Sequence, residues 1–361
     1  MSTILDVAKL AGVSTATVSR VINSPQTVRD QTREKVTRAM QVCNYKYNAL
    51  ARGFATKQSN TIGLVVPAIS NPVFAESAQG VQDYAAGRKV EVILGNTHYQ
   101  YEQEESLVKT LREKQVDGLI ITTTSLKGAV LQELLEEGFP FVLLFSTVKS
   151  GPLSVVGVDN YRGAYLAIEH LVGLGHRRIG MIAGNFSISD RSYHRWHGYR
   201  KCLREHDIPY DKELVVQTDY SMDGGRDGVK GLLGMKNPPT AIFCSNDLLA
   251  LGAMKGAREC GLRLPSDLSI VGFDDIQTAS YVVPALTTIR QPAYEMGRKA
   301  AELLFQLMES PSTPVQQMLR SELIVRESTM APGILKKSNS ELVPPDLASG
   351  VLNGKEGAFS S

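Results

Sequence analysis

The sequence predicts two parts, a small all-α head built around a helix-turn-helix and a larger two-lobed α/β body with parallel sheets. Apolar residues in the first 45 positions recur every three or four residues, the spacing of a helix buried on one face. From Thr61 onward, short β-branched runs alternate with helix-length stretches. Charge follows the same division, since residues 1–60 hold nine Lys or Arg and three Asp or Glu, whereas the whole 361-residue chain has a net charge of +2.

The head begins with two short helices joined at a glycine. Thr3 and Asp6 can cap the first helix, Gly12 permits a sharp turn, and Ser14 is a good N-cap for the second. A third helix begins at Asp30 and completes the small core. The residues expected to face inward are Ile4, Val7, Ala8, Ala11, Val13, Val18, Val21, Ile22, Val36, Ala39, Met40 and Cys43.

The outer face of the second helix lies where a helix-turn-helix contacts base edges in the major groove. Arg20 can donate two hydrogen bonds to one guanine, a pairing worth roughly 1–3 kcal/mol against a wrong base. The alternative is a solvated face of an ordinary three-helix domain, but the basic head, which would neutralise phosphates, favours DNA. The candidate base-reading residues are Thr15, Ala16, Thr17, Arg20 and Asn23.

The head resembles that of the lactose/galactose repressor family of bacterial transcriptional regulators, through the segment VSTATVSRVIN at 13–23. In that family the next segment forms a hinge helix that inserts an apolar side chain into the minor groove. The resemblance therefore implies a head at 1–47, a hinge at 48–60, and Ala51 and Phe54 as DNA contacts. For Phe54, the alternative is packing against the neighbouring domain.

The hinge differs from the family pattern at three positions. Tyr47 replaces a proline, which makes the turn less rigid, and Gly53 costs a helix roughly 1 kcal/mol relative to alanine. Phe54 replaces the usual leucine but is also able to separate base steps. We therefore expect the hinge to be disordered in the absence of DNA.

The body contains ten hydrophobic runs that we predict to be strands, and its length of about 270 residues favours two lobes. The runs are 61–69, 90–96, 117–122, 139–145, 155–159, 178–184, 214–219, 240–246, 268–275 and 286–292.

The resemblance extends over the body, to about residue 330, through four motifs: LVGLGHRRIGMIAG, PTAIFCSNDLLALGAM, LSIVGFDD and PALTTIRQP. It implies a type I periplasmic-binding-protein-like effector domain at 61–330. The expected N-terminal lobe is about 61–160 plus 292–321, and the C-terminal lobe about 161–291 plus 322–330. We expect the tail, 331–361, to be mostly disordered.

Polar residues follow several predicted strands, where ligands bind in parallel α/β sheets. Amides and carboxylates beside an aromatic ring suit a polyhydroxylated ligand. We read Asp247 and Asp275 as helix caps rather than ligand contacts. From the residues alone, the candidates at strand ends are Asn71, Phe74, Asp159, Asn160, Asn246 and Asp274.

The resemblance adds Arg195, from the family's RxxGY motif, and Tyr220, at a position that often stacks on the ligand. It also implies ligand contacts for Asn246 and Asp274. The alternatives are a surface helix arginine for Arg195 and a helix cap for Asp274. Phe145 stands where many members have aspartate, which mildly favours an acidic ligand such as a sugar acid. The full set of effector-binding candidates is Asn71, Phe74, Asp159, Arg195, Tyr220, Asn246 and Asp274.

Other function classes are disfavoured. Enzyme signatures such as a P-loop or a GxSxG elbow are missing, and no cofactor is expected. His194 and His197 have no carboxylate partner for a metal site, and Trp196 is expected in the core or behind the site. The four unpaired cysteines suit a reducing cytosol. No leader or membrane-spanning run is recognisable, which argues against a secreted sugar-binding protein.

The sequence thus predicts a cytoplasmic bacterial repressor of sugar or sugar-acid utilisation genes, associated with the nucleoid when it binds its operator. A small-molecule effector between the lobes would switch its affinity for double-stranded operator DNA. Because the tail has no leucine repeat, we expect a homodimer on a pseudo-palindromic operator. Alternatives are a global regulator controlled by a phosphorylated carrier protein, a sugar-binding protein without a DNA role, and a catalytic protein on the same lobes.

Overall fold

The computed structural model describes residues 2–23, 25–45, 59–148, 151–310 and 313–333. Tyr47 and most of the expected hinge, including Ala51, Gly53 and Phe54, lie outside the described residues, as does the tail from 334 onward.

The head consists of three helices, α1 (Ile4–Ala11), α2 (Thr15–Asn23) and α3 (Asp30–Val42). Thr3 and Asp6 form a reciprocal capping box at the start of α1. Gly12 follows α1 with φ of +65°, a left-handed conformation that glycine adopts at little cost. Every residue predicted to face inward belongs to or packs against one core whose buried members are Val7, Ala8, Val18, Val21, Val36 and Ala39.

Two six-stranded sheets form the body. The first sheet contains β1 (Thr61–Val66), β2 (Glu91–Asn96), β3 (Gly118–Ile121), β4 (Phe141–Leu144), β5 (Val155–Val158) and β11 (Gln316–Leu319). Its strand order is β11-β5-β4-β3-β1-β2, and all its strand pairs are parallel. The helices that accompany these strands along the chain are α4 (Pro72–Ala86), α5 (Tyr101–Glu113), α6 (Ala129–Glu136) and α11 (Ala293–Glu309).

The second sheet contains β6 (Ile179–Gly184), β7 (Val215–Thr218), β8 (Ala241–Cys244), β9 (Ser269–Asp274), β10 (Thr287–Arg290) and β12 (Glu322–Ile324). Its strand order is β12-β10-β9-β8-β6-β7, and its only antiparallel pair among the described residues is β10 with β12. Its helices are α7 (Asn160–Gly173), α8 (Asp190–Glu205), α9 (Met222–Leu233) and α10 (Asp247–Glu259).

The predicted fold class is confirmed, since each of the ten hydrophobic runs contains one strand. The sequence reading missed β11 and β12. Both are short edge strands, and their burial is only partial. None of the helices within the described ranges is long and apolar enough to cross a membrane.

The RWHGY motif in α8 links the fold to the site. A Cβ on Gly198 would lie 2.2 Å from the carbonyl oxygen of Tyr161, so only glycine lets α8 pack this closely on α7. Tyr199 is buried and donates to the carbonyl of Ile179 in β6. These contacts fix the helix that carries Arg195.

Candidate functional site

A cavity of about 20 Å³ lies between the two sheets and collects residues from both. This volume holds about one water molecule. Most lining residues follow the carboxyl end of a strand, the expected position for a ligand in such sheets. The lining residues are Asn71, Val73, Phe74, Tyr99, Phe145, Ser189, Arg191, Ser192, Arg195, Tyr220, Asn246, Asp274 and Gln291.

Three helices begin at the cavity. Asn71, Ser189 and Asn246 are the N-caps of α4, α8 and α10, and each side chain accepts a backbone N–H from the first turn of its own helix. The unpaired amides at a helix start carry partial positive charge. The side-chain amides of Asn71 and Asn246 also keep their donors for another partner, because only their oxygens are used in capping.

Arg195 is 4% exposed, and the protein itself occupies most of its guanidinium. Nε donates to Asn160 Oδ1 at 2.9 Å, Nη1 donates to the carbonyl of Ser245, and the group lies 3.6 Å from the ring centre of Phe273. Its Nη1 is 3.8 Å from Asp274 Oδ1, a long ion pair. Arg195 therefore organises this side of the cavity.

Asp274 is 4% exposed and accepts from Gln291 Nε2 at 2.6 Å. Burial raises the pKa of Asp274 to about 7, although the charge of Arg195 opposes that shift. Burial likewise lowers the pKa of Arg195 to about 10, against the attraction of Asp274. Desolvation thus outweighs the long ion pair for both partners.

Arg191 also lines the cavity and is 6% exposed, but its hydrogen bonds are incomplete. Nη1 is 3.4 Å from Asp190 Oδ1, and the buried Nη2 has no hydrogen-bond partner. Gln291 Oε1 is likewise buried without a partner. Such atoms are rare in native proteins, because an unpaired buried donor or acceptor costs free energy.

Aromatic rings fill much of the space between the sheets. Tyr99, which follows β2, stacks on Tyr220, which follows β7, with ring centres 4.3 Å apart and an interplanar angle of 14°. Phe74 meets Phe145 edge-on at 5.2 Å. Gly184 at the end of β6 makes room for Tyr220, since a Cβ there would lie 1.9 Å from its ring.

Three lining residues have a positive φ that is unusual outside glycine. The values are +59° for Tyr99, +68° for Phe145 and +130° for Asp274. Strained backbone of this kind concentrates at ligand sites, where the surrounding structure holds it. A bulky ring at Phe145 is less favourable in this conformation than the aspartate or asparagine that tolerate it best.

The structure brings six of the seven effector-binding candidates to the cavity: Asn71, Phe74, Arg195, Tyr220, Asn246 and Asp274. Asp159 requires a correction. It is exposed, caps α7 by accepting from the backbone of Arg162, and is not among the lining residues. The next residue, Asn160, is the buried one and accepts from Arg195.

The two other aspartates have structural partners, although neither caps a helix through its side chain. Asp247 accepts from the hydroxyl of Thr288 and the backbone of Ile276. Asp275 forms ion pairs with Arg290 and Arg326. Neither residue is among those that line the cavity.

The sequence reading missed several lining residues, most importantly Tyr99, Arg191 and Gln291. One signal was available for Arg191. It lies four residues before Arg195 on α8, so both side chains project from the same face of that helix. Tyr99 and Gln291 lie in irregular segments after strands, where periodicity carries no information.

The DNA-reading candidates are placed on α2. Thr15, Ala16 and Arg20 are exposed on it. Thr17 is only partly exposed and its hydroxyl bonds to that of Ser14, which makes it a capping partner. The side chain of Asn23, together with Ala51 and Phe54, lies outside what the structure describes.

A helix-turn-helix head followed by two largely parallel sheets around a polar and aromatic cavity defines a DNA-binding regulator with a ligand-binding body. Comparison with known proteins supports this class. The profile of the family described as "Bacterial regulatory proteins, lacI family" matches residues 3–48, and that of the "Periplasmic binding protein-like domain" matches 168–329. The chain belongs to the lacI family, which consists of transcriptional regulators rather than enzymes.

Three similar proteins each match most of the chain. Catabolite control protein A of Priestia megaterium is 37% identical over 85% of this chain and 92% of its own. The ribose operon repressor of Haemophilus influenzae is 37% identical over 91% of this chain and 98% of its own. The lac repressor dimer bound to operator and the anti-inducer ONPF superimposes with a TM-score of 0.82, at 32% identity, covering 91% of this chain and 99% of that one.

Proposed function

We propose that this protein is a homodimeric repressor of carbohydrate or sugar-acid utilisation genes, and that a small-molecule effector bound in the cavity between the sheets switches its affinity for operator DNA. The main supporting observation is that both sheets contribute polar and aromatic side chains to one cavity. The similar regulators of ribose and lactose genes support a sugar-like effector. As a member of this family, the protein would act in the cytoplasm and associate with the nucleoid through its operator.

The size of the cavity supports a coupling between ligand binding and lobe movement. A monosaccharide is far larger than one water molecule, so it can enter only if the sheets separate or the Tyr99–Tyr220 stack opens. Separation of the sheets would move the first sheet relative to the second. Because the hinge at 48–60 leads directly into β1 of the first sheet, lobe movement changes the spacing of the two hinges in a dimer.

The assignments that this mechanism needs stay predictions. We predict a head at 1–47 and an effector domain at 61–330. The chain would cross from one lobe to the other near residues 160, 292 and 322. Thr15, Ala16, Arg20 and Asn23 would contact bases or phosphates, with Ala51 and Phe54 in the minor groove. Thr17 would support the turn. On a pseudo-palindromic operator, each half-site would receive one such set.

A thermal-shift screen of the full-length protein tests the ligand part. The panel contains neutral sugars, sugar acids, sugar phosphates and purines. A ligand present at 100 times its Kd should raise the free energy of unfolding by roughly 2.7 kcal/mol. Absence of a shift in all four classes would contradict a small-molecule switch and would favour control by a protein partner.

Two substitutions separate the two parts of the function. Arg20→Ala should abolish discrimination between operator and random DNA while ligand binding is retained. Arg195→Lys should retain operator binding while the response to ligand is lost. Electrophoretic mobility shifts at a fixed salt concentration, with and without ligand, measure operator binding and its response to ligand. Calorimetry measures ligand binding. The reverse pattern of losses would refute the assignment of the two sites.

A further inference from the structure

We propose that the effector carries a carboxylate that Arg191 binds, which makes it a sugar acid rather than a neutral sugar. This inference rests on the proposed function and specifies the ligand of the same site. Its basis is the contrast between the two arginines that line the cavity.

Arg195 is the better compensated of the two arginines. Its Nε and Nη1 donate to Asn160 and Ser245, its face covers Phe273, and Asp274 lies beside it. The protein therefore already compensates much of its charge.

Arg191 has fewer hydrogen-bond partners than Arg195. It is as deeply buried as Arg195, yet Nη2 has no partner and the contact from Nη1 to Asp190 is long, at 3.4 Å. Asp190 is also shared, because its other oxygen accepts the backbone N–H of Thr147 at 3.1 Å. A buried guanidinium with a free donor is stabilised by an oxyanion, and a carboxylate fits its planar fork.

The charge balance of the cavity favours an anion with a single charge. Among the lining residues, Arg191 and Arg195 are basic and Asp274 is acidic, and Asp190, which pairs with Arg191, adds a second carboxylate beside the lining. The starts of α4, α8 and α10 add partial positive charge at the same place. Because the four side chains nearly balance, this partial charge favours a ligand with one negative charge over a doubly charged phosphate.

Gln291 indicates the rest of the ligand. Its Nε2 donates to Asp274, which leaves the buried Oε1 as an acceptor without a donor. The side-chain amides of Asn71 and Asn246 supply donors nearby on the lining. A ligand that satisfies these groups must have hydroxyls as well as a carboxylate, which is the chemistry of aldonic and uronic acids.

Isothermal titration calorimetry on the full-length protein tests this inference with matched pairs: glucuronate against glucose, galacturonate against galactose, and gluconate against glucitol, with glucose 6-phosphate as the phosphate arm. We expect at least one acid to bind about 30-fold more tightly than its neutral partner. Arg191→Gln should remove that preference and change the affinity for the neutral sugar by less than about threefold. Arg204→Gln, an exposed arginine of the same helix, is the matched control.

Each possible result either supports or contradicts the inference. If compounds bind but no acid binds more tightly than its neutral partner, the inference is wrong while the proposed function stands. Tighter binding of the sugar phosphate refutes the carboxylate, and equal weakening of acid and neutral sugar by Arg191→Gln refutes the role of Arg191. No binding by any compound removes the proposed small-molecule switch as well. If Arg191→Gln does not fold, Arg191→Lys, which retains the charge without the fork, must still reduce the acid preference.

Discussion

The two walls of the cavity differ in chemistry. The first-sheet wall, formed by Asn71, Val73, Phe74, Tyr99 and Phe145, is largely apolar and aromatic. The second-sheet wall contains all the lining charges and is formed by Ser189, Arg191, Ser192, Arg195, Tyr220, Asn246, Asp274 and Gln291. This difference indicates a division of labour, in which the second-sheet wall selects the ligand by charge and hydrogen bonding and the first-sheet wall covers it and excludes water.

Among substitutions in the two walls, Arg195→Ala should cause the largest loss in the free energy of unfolding. It removes the partner of buried Asn160 and leaves Asp274 without its nearest cation. Breaking a buried charge cluster in this way should lower the free energy of unfolding by about 3–5 kcal/mol. Denaturant unfolding with a fixed m-value measures the change. If the loss were below about 1 kcal/mol, the second-sheet wall would not depend on Arg195 as an organising residue.

Phe145→Leu tests the apolar wall. It removes the edge-on contact with Phe74 but keeps an apolar side chain, so the free energy of unfolding should fall by about 1–2 kcal/mol. The ratio of acid to neutral-sugar affinity should stay the same, because the first-sheet wall carries no charge. Calorimetry on the matched sugar pairs measures that ratio. A changed ratio would show that the first-sheet wall also discriminates charge.

The raised pKa of Asp274, in the second-sheet wall, predicts that the free energy of unfolding depends on pH. Its pKa in the folded protein is raised by burial from an ordinary value of 3.8 to about 7, so the folded state binds the proton more tightly than the unfolded state. The stabilisation is therefore fully present below pH about 4 and is lost as the pH rises through about 7, with a slope of at most about 1.4 kcal/mol per pH unit. Urea unfolding at several pH values should show this decline.

Asp274→Asn is the control for that decline. It should flatten the decrease between pH 4 and pH 7, while the part contributed by Asp247 remains, because burial also raises the pKa of Asp247, to about 6. An unchanged slope in the variant would mean that Asp274 does not titrate in this range.

The two walls also differ in how far the sequence predicts them. Hydrophobic runs located ten strands, and the polar residues after them located most of the site, because strand ends meet at one edge of a parallel sheet. The prediction that Asp159 faces the site is off by one residue. Asp159 is exposed and caps the helix, whereas the next residue, Asn160, points inward and accepts a hydrogen bond from Arg195.

The remaining misses have a shared physical origin. The roles of Arg191 and Gln291 depend on which hydrogen bonds the folded protein leaves unmade, and that balance exists only in three dimensions. Tyr99 reaches the cavity through a left-handed backbone conformation that no sequence period indicates. In the head, by contrast, caps and core followed directly from helical spacing, because those interactions are local.

The most direct test of the ligand-switched repressor is the reciprocity of its two affinities. An operator obtained by in vitro selection is titrated with and without saturating ligand, and the ligand is titrated with and without operator. The proposed mechanism predicts that both affinities change by the same factor, about 5–150-fold. If saturating ligand left the operator affinity unchanged, the cavity would not control DNA binding and the central claim would be contradicted.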